Sequence, residues 1–323
     1  MSAAPNYSSI LVSWLALAGG LLLLTGGGEF LVSGAAKLAK RFGMSTLLIG
    51  LTVVAFGTSM PELFVGLIAL AQDHPDILTG NVVGSNIANI GLILGICAMI
   101  SPLPVRYRHV SLELYFMLGA TIMVFLAAWQ GTFPRPLGLL FVLSLVLYTL
   151  QSFRNAAGKN KKRAPRAPPA APQRAEYPLP PVIALTAAGL LCLPLGSTFF
   201  IRGAVDIARY FGVSELIIGL TLAAVGTSLP ELASCLAAIR QRQTQILAGN
   251  VIGSNIFNLL MVLGFCGILA PYPMSPGLLF RDIPVMFSFS AVLVPLLAVE
   301  QGLRRLHGLL LFLAYIGYLF VLR

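Results

Sequence analysis

The sequence predicts an all-α polytopic membrane protein, with ten transmembrane helices in two inverted five-helix repeats and broken helices at the midplane. Its composition, its ten apolar runs and a long internal repeat support this prediction. Of the 323 residues, 57% are hydrophobic and only 10% are charged, whereas an average soluble domain carries roughly a quarter charged residues. This balance excludes a soluble globule.

The positive charge of the chain indicates membrane topology and does not indicate nucleic-acid binding. The formal net charge is +10, but the basic residues lie in short loops between apolar runs, where they orient a membrane protein. The four cysteines are scattered inside apolar runs, without metal-ligand or redox spacing. We expect them to pack between helices.

Ten apolar runs approach or exceed the roughly 20 residues that cross a bilayer. They lie at about 10–36, 45–71, 77–100, 110–129, 136–152, 180–208, 214–239, 245–270, 283–299 and 306–322. We expect a first five-helix repeat at 1–152 and a second, inverted repeat at 178–323. Residues 153–177 are polar and rich in Pro, Ala, Lys and Arg, a composition that predicts a disordered connector.

Basic residues are concentrated on one side of the predicted membrane. If the connector is cytoplasmic, four short loops lie on the same side, and these five segments hold 16 of the 21 Lys and Arg residues. This is the asymmetry of the positive-inside rule. The sequence therefore predicts a multi-pass protein of the plasma or inner membrane, with a cytoplasmic connector and both termini extracytoplasmic.

A long repeat relates the two halves of the chain. The segment GLTVVAFGTSMPELFVGLIALAQDHPDILTGNVVGSNIANIGLILG, from Gly50, recurs from Gly219 as GLTLAAVGTSLPELASCLAAIRQRQTQILAGNVIGSNIFNLLMVLG. The copies share 25 of 46 positions at a constant offset of 169 residues. Each half contains five predicted spans, an odd number, so the second half must enter the membrane from the opposite face. Inverted repeats of this kind place a binding site near the midplane.

Each copy carries a proline-interrupted helix with a carboxylate. Residues 57–62 read GTSMPE, and Pro61 removes one backbone donor, so we expect a helix break with carbonyl groups available to a cation. A charged residue at the bilayer centre costs about 2.5–3.5 kcal/mol, yet Glu231 repeats Glu62 in the same context. The two glutamates are predicted to face each other across one ion site. N-terminal capping of the half-helix is compatible with that role.

A second polar segment in each copy adds oxygen donors. Ser85 and Asn89 are four residues apart and share one helical face, and the repeat supplies Ser254 and Asn258 as their counterparts. We expect these four residues to line the site. For two further pairs, both ligation and interhelical hydrogen bonding fit the sequence: Asn81 with Asn250, and Asn86 with Asn255.

The chemistry of these donors predicts the kind of ion. All of them are carboxylate, hydroxyl, amide or carbonyl oxygens, which suit calcium, sodium or magnesium better than zinc, copper or iron. Two carboxylates neutralise one divalent ion, and flexible carbonyl donors fit the variable geometry of calcium better than the octahedron of magnesium. The ions are expected as cargo, with no prosthetic group.

With these motifs in place, the chain resembles the calcium/cation antiporter superfamily, in particular the bacterial and archaeal sodium/calcium exchangers. The resemblance rests on the paired GTS-PE and GN-x-x-GSNI segments, residues 57–89 and 226–258, and the ten-span plan extends it over nearly the whole chain. It implies antiport of Ca²⁺ and Na⁺ by alternating access, with the first and sixth helices sliding against the core. It also implies that ten residues line four adjacent ion sites: Thr58, Ser59, Glu62, Ser85, Asn89, Thr227, Ser228, Glu231, Ser254 and Asn258.

The chain departs from many of these relatives at one position. One of the two sites held here by Asn89 and Asn258 is often an aspartate, whereas this chain has asparagine at both. The predicted site therefore has two carboxylates instead of three, which leaves the sodium stoichiometry open. Sodium is the first choice of coupling ion, and H⁺ or K⁺ are the alternatives.

The other acids in or near the spans carry weaker predictions. Glu29 aligns with Thr198, so it either lines a sodium passage or pairs locally. Four acids near span ends are predicted to be interfacial: Asp206, Glu215, Asp282 and Glu300.

Two other classes of function use different features. A cation channel could use the same oxygens, but two inverted copies suit alternating access better than a pore. An intramembrane enzyme would need a zinc motif, a paired aspartate site or a serine with a nearby base, none of which the sequence shows. No obligate protein partner is predicted.

Overall fold

The computed structural model describes residues 6–7, 9–162, 177–213, 226–300 and 302–321. Two short strands pair in these ranges, β1 (Thr132–Phe133) and β2 (Tyr272–Pro273). The helices are α1 (Ile10–Phe42), α2 (Thr46–Ala71), α3 (Pro75–Ile100), α4 (Tyr107–Trp129), α5 (Arg135–Lys162), α6 (Leu179–Tyr210), α7 (Leu229–Arg240), α8 (Thr244–Leu269), α9 (Leu278–Ala298) and α10 (Arg305–Val321).

The helices match the predicted spans in order. Among the described residues, eight helices are long and apolar enough to cross a membrane. The other two are α7, whose described part begins at Leu229, and α10, which has 17 residues. The first part of the predicted seventh span, residues 214–225, lies outside the described residues.

Helix α5 is longer than its apolar run. Helix α5 continues to Lys162, past the predicted end of the first repeat at residue 152. The added stretch contains Ala, Lys and Asn but no proline before Pro165, and Ala and Lys are good helix formers. The rest of the predicted connector, residues 163–176, lies outside the described part of the chain.

Helices α1 and α6 are joined by glycines that recur every seventh residue. They lie at 20, 27 and 34 in α1 and, 169 residues later, at 189, 196 and 203 in α6. A Cβ added at Gly189 would lie 2.5 Å from the backbone nitrogen of Leu31, and one at Gly196 would lie 2.8 Å from that of Leu24. Small residues of this kind let membrane helices approach closely. The two helices are therefore packed together along most of their length.

Backbone pairing at the two ends of the bundle follows the inverted repeat. We call the end where α1 begins the N-terminal face; the other end is the opposite face. On the N-terminal face, Phe133 pairs with Tyr272, and on the opposite face Leu103 bridges Leu303. Tyr272 is the counterpart of Leu103 at the offset of 169, and Leu303 lies within one residue of the counterpart of Phe133. Equivalent loops thus meet on opposite faces, as inversion requires.

Two of the acids that are predicted to be interfacial lie near helix ends and are buried by the protein. Asp206 accepts hydrogen bonds from the backbone nitrogens of Asn6 at 2.8 Å and Tyr7 at 2.9 Å. Asp282 accepts one from Arg281 Nε at 2.9 Å. Asn6 and Tyr7 lie about 200 residues from Asp206 in the chain, so hydropathy cannot reveal them, whereas Arg281 is the sequence neighbour of Asp282.

Candidate ion-binding site

Helix α2 is interrupted beside Pro61, as the sequence predicts, and α7 begins beside Pro230 with the same local geometry. The backbone leaves helical geometry at Ser59 (φ −84°, ψ 0°) and at its counterpart Ser228 (φ −90°, ψ 3°). Glu62 and Glu231 lie in the first turn of the helix that follows each serine. A helix N-terminus favours negative charge, so each helix start places a carboxylate where the local backbone dipoles stabilise it.

The structure brings the ten predicted site residues into the interior of the bundle. Thr227 is half-buried, and it lines two cavities. The other nine are at most 2% exposed: Thr58, Ser59, Glu62, Ser85, Asn89, Ser228, Glu231, Ser254 and Asn258. Such burial of polar groups requires internal partners or a bound ion.

Hydroxyl groups from the two repeats meet in a crossed pattern. Thr58 Oγ1 of α2 lies 3.1 Å from Ser254 Oγ of α8, and it donates to Asn250 Oδ1 at 3.1 Å. The same contacts recur 169 residues away, where Thr227 Oγ1 lies 3.2 Å from Ser85 Oγ of α3 and donates to Asn81 Oδ1 at 3.1 Å. Hydrogen bonds therefore connect α2 of the first repeat to α8 of the second, and the start of α7 to α3.

The two carboxylates lie at this crossing. Ser85 Oγ donates to Glu62 Oε1 at 3.5 Å, and Glu62 is within electrostatic reach of Glu231. Within the described ranges, Glu62 Oε2 and both Glu231 oxygens are buried without a hydrogen-bond partner. No cluster of three His, Cys, Asp or Glu side chains forms in those ranges either. A buried charge without a partner is costly, so this pair of carboxylates can be stabilised by a cation held among neutral oxygens.

The buried asparagines of the site lie at or next to π-helical segments. Asn89 and Asn258 each begin a π-helical segment, residues 89–94 and 258–263, and π segments are frequent at functional sites. Asn89 Nδ2 donates to Asn255 Oδ1 at 3.2 Å, so interhelical hydrogen bonding occurs at one of the pairs for which the sequence allowed two roles. Among the described residues, both side-chain polar atoms of Asn258 and of Asn86 are buried without a partner.

Two cavities adjoin this region, and the larger one extends to the N-terminal face. The larger, about 520 Å³, runs from the start of α3 and α9, at Asp76 and Asp282, down to Asn81 and Ser85. The smaller, about 450 Å³, lies between α2 and α6. Both include Thr227 in their walls, so this threonine connects the crossed hydroxyl groups to both routes.

Near the opposite face, glycines of α8 pack closely against α2. A Cβ at Gly249 would lie 2.5 Å from the carbonyl oxygen of Leu47, and one at Gly253 would lie 2.8 Å from that of Leu51. Their counterparts are Gly80 and Gly84, which line the larger cavity, and no described heavy atom lies within 4 Å of a Cβ built on either. The residues that correspond to Leu47 and Leu51 in the second repeat, 216 and 220, lie outside the described part of the chain.

Sequence comparison of the repeats missed one supporting residue. Asn250 Nδ2 donates to Ser234 Oγ at 2.8 Å, and Ser234 is 2% exposed. The counterpart of Ser234 is Val65, so a search for features shared by both copies passes over it. The only sequence signal is a serine one turn after Glu231 in an apolar helix.

Glu29 pairs locally, which was one of its two predicted roles. Its carboxylate lies 2.9 Å from Arg240 Nε and accepts a hydrogen bond from Gln241 Nε2. Both partners lie at the C-terminal end of α7 on the opposite face. Glu29 does not line either of the two cavities described above.

Comparison with known proteins agrees with this geometry. The profile described as "Sodium/calcium exchanger protein" matches residues 12–154 and 181–323, one block in each repeat. The chain belongs to the sodium/calcium exchanger family. Members of this family are transporters, and the fit of a polytopic membrane protein to its profile confirms the resemblance read from the motifs.

Individual relatives match this exchanger-family chain over most of its length. The putative antiporter CaxA of Alkalimonas amylolytica is 36% identical over 325 residues, 97% of this chain and 99% of that protein. The sodium/calcium exchanger MaX1 of Methanosarcina acetivorans is 33% identical over 346 residues, with coverage of 97% and 99%. The inner membrane protein YrbG of Escherichia coli is 36% identical over 277 residues, with coverage of 84% and 85%.

A solved structure of the sodium-calcium exchanger NCX_Mj, soaked with sodium and strontium, has the same fold. It superposes with a TM-score of 0.82 at 28% identity, and the match covers 98% of this chain and 100% of that one. The predicted fold class, ten membrane helices in two inverted repeats, is confirmed by this match together with the two blocks of the family profile.

Proposed function

We propose that this family member exchanges Ca²⁺ for Na⁺ across the membrane by alternating access, at one shared site between the two repeats. The observation that carries the proposal is the crossed contact of Thr58 with Ser254 and of Thr227 with Ser85, at 3.1 and 3.2 Å. These contacts gather oxygen donors of both halves around Glu62 and Glu231. The ion ligands are the ten residues predicted from the sequence.

The donor set favours these two cations. Two carboxylates balance the charge of one calcium ion, and the hydroxyl and amide oxygens around them supply the six to eight oxygen ligands that calcium takes. Sodium is also a hard cation and competes for the same oxygens. Competition for overlapping ligands couples the two ions, because calcium leaves when sodium occupies its site.

The orientation of the chain gives the cavities their direction. With the basic loops in the cytoplasm, the N-terminal face is extracytoplasmic and the protein lies in the cell membrane, as does the inner membrane protein YrbG by its name. The larger cavity then opens outward, and the glycine packing of α2 on α8 closes the cytoplasmic side. Inward opening requires that packing to separate while α1 and α6 shift against the core.

Calcium uptake by proteoliposomes tests the exchange. Vesicles loaded with sodium are diluted into sodium-free medium containing radioactive calcium, and uptake should require the outward sodium gradient. Matched vesicles with a proton or potassium gradient alone should take up little calcium; uptake there would assign the coupling to that ion. Calcium entry with no exchanging ion inside would indicate a channel and contradict antiport.

Two site variants and one control connect the flux to the proposed ligands. Glu62→Gln and Glu231→Gln keep the side-chain shape but remove the charge, and each should reduce sodium-driven calcium uptake to background. Glu29→Gln makes the same change at an acid that pairs with Arg240 and should transport like the parent. Parent-like uptake by either site variant would refute the shared site.

A further inference from the structure

A hydrogen bond to Ser234 fixes the orientation of the Asn250 side-chain amide. The Ser234 hydroxyl donates its proton to the backbone oxygen of Glu231 at 2.9 Å, so its oxygen is an acceptor for Asn250 Nδ2 at 2.8 Å. A reversed amide would press the Asn250 oxygen against a hydroxyl oxygen whose proton is already committed. The amide is therefore fixed, with Nδ2 toward Ser234 and Oδ1 toward the crossed hydroxyl groups.

The fixed amide oxygen sets the direction of two hydroxyl protons. Thr58 Oγ1 lies 3.1 Å from Asn250 Oδ1 and Ser254 Oγ lies 3.4 Å from it, and a carbonyl-type oxygen accepts two hydrogen bonds. When both protons point at Asn250, the lone pairs of both hydroxyl oxygens are free for other partners. A cation binds lone pairs and is repelled by a hydroxyl proton, so this arrangement prepares the oxygens for an ion.

The equivalent contact of Thr227 with Asn81 has no hydrogen bond that corresponds to the one between Asn250 and Ser234. Thr227 donates to Asn81 Oδ1 at 3.1 Å, but Val65 stands at the position of Ser234. No described residue accepts a hydrogen bond from the buried Asn81 Nδ2. Asn81 and Thr227 also line the larger cavity. This amide can reverse at little cost, and the Thr227 proton can then turn toward the ion.

We propose that Ser234 is a positioning residue that makes the half-site of Thr58 and Ser254 the preorganised, tighter-binding half. The half-site of Thr227 and Ser85, which faces the cavities, is the adaptable half through which ions exchange. Ser234 does not touch the ion; it acts through Asn250. The inference rests on the proposed function, because it assigns unequal roles to the two halves of that cation site.

The test measures calcium KM and maximal rate of sodium-driven uptake for substitutions at Ser234. Ser234→Ala removes the acceptor and should raise KM about 3- to 10-fold, the effect of one buried hydrogen bond, with the maximal rate within about twofold of the parent. Ser234→Thr keeps the hydroxyl and should keep the parent KM. Ser234→Cys supplies only a weak acceptor and should fall between them.

A double-mutant comparison separates positioning from packing. In a Thr58→Ala background only the Ser254 hydroxyl is left for Asn250 to orient, so adding Ser234→Ala should raise KM by a clearly smaller factor than it does in the parent. An unchanged KM in Ser234→Ala, an equal rise in both backgrounds, or a rise in Ser234→Thr as large as in Ser234→Ala would overturn the inference.

These outcomes are distinct from a failure of the proposed function. If the parent protein shows no calcium flux under any gradient, the proposed function fails. If the parent transports calcium but Ser234→Ala leaves KM unchanged, only the role of Ser234 fails. Monodisperse elution of each variant in detergent shows that KM is compared among folded proteins.

Discussion

The hydroxyl oxygens of Thr58 and Ser254 lie 3.1 Å apart, although 196 residues separate them in the chain. Their counterparts Thr227 and Ser85 repeat the contact at 3.2 Å. A duplicated sequence can make such a pair of contacts only if its two copies face each other across an approximate two-fold axis. The ion site is therefore a product of the inversion, since neither repeat contains it alone.

Removing either threonine hydroxyl should weaken calcium binding. We expect Thr58→Ala and Thr227→Ala each to raise the calcium KM about 3- to 10-fold, because each loses an oxygen ligand and a buried hydrogen bond of about 1 kcal/mol. Thr25→Ala is the control: its hydroxyl bonds to the carbonyl oxygen of Leu21 on an exposed helix face. Parent-like KM in both site variants would exclude these hydroxyl groups as ligands.

Much of the fold and the site follows from the repeat, for a physical reason. A carboxylate beside a proline in an apolar span is costly, so its recurrence at Glu62 and Glu231 identifies a position under functional constraint. A hydrogen-bond partner that is present in one copy but not in the other gives no such signal. Ser234 and the buried Asp206 depend on residues distant in sequence, and only the folded chain brings these together. Helix α5 runs beyond its apolar stretch because Ala and Lys favour helix even where the composition is polar.

The glycine contacts between α1 and α6 should be essential for folding. Gly189→Ala would place a methyl group 2.5 Å from the backbone nitrogen of Leu31, and overpacking of this kind costs about 1–3 kcal/mol or more. We expect a clearly lower thermal unfolding midpoint in detergent. At Gly26 no described heavy atom lies within 4 Å of an added Cβ, so Gly26→Ala should unfold like the parent. Equal midpoints for the two variants would contradict the packing.

The glycines of α3 and α8 should respond differently to the same change. Gly253→Ala would bring its methyl group to 2.8 Å from the carbonyl oxygen of Leu51, so we expect loss of stability. Gly84 lines the larger cavity, so Gly84→Ala should lower the stability less than Gly253→Ala does. Gly84 is the counterpart of Gly253. If the cavity on the N-terminal face closes when Gly84 packs against a neighbouring helix as Gly253 does, Gly84→Ala should slow calcium transport.

Two measurements on Gly84→Ala check this expectation. The calcium dissociation constant in detergent should stay close to that of the parent, while the maximal rate of calcium uptake in proteoliposomes should fall severalfold. Transport at the parent rate would show that the cavity closes without helix contact at Gly84. Weaker calcium binding would place the effect in the site instead of in closure.

Breaking the pair of Glu29 with Arg240 should have little effect. The two side chains are 36% and 55% exposed, and exposed ion pairs contribute about 0–1 kcal/mol. Arg240→Gln should therefore keep the parent unfolding midpoint, and Glu29→Gln should keep the parent sodium dependence of calcium uptake. A rise in the sodium concentration for half-maximal exchange in Glu29→Gln alone would revive a role for Glu29 in sodium passage.

The number of competing sodium ions should follow the number of site carboxylates. With Glu62 and Glu231 as the charged ligands, a dry site is balanced by one calcium or about two monovalent cations, because uncompensated charge in a low-dielectric interior is costly. Sodium inhibition of calcium uptake should then show a Hill coefficient near two. Asn258→Asp adds a third carboxylate to the site.

In Asn258→Asp we expect tighter calcium binding and a Hill coefficient for sodium inhibition that rises toward three, since the added charge can be balanced by a further monovalent cation. Asn258→Ser, which changes the ligand without adding charge, separates charge from ligand shape: its calcium KM can shift, but its coefficient should stay near two. A coefficient near three in the parent, or no change in Asn258→Asp, would show that neutral oxygens alone hold the additional sodium ion.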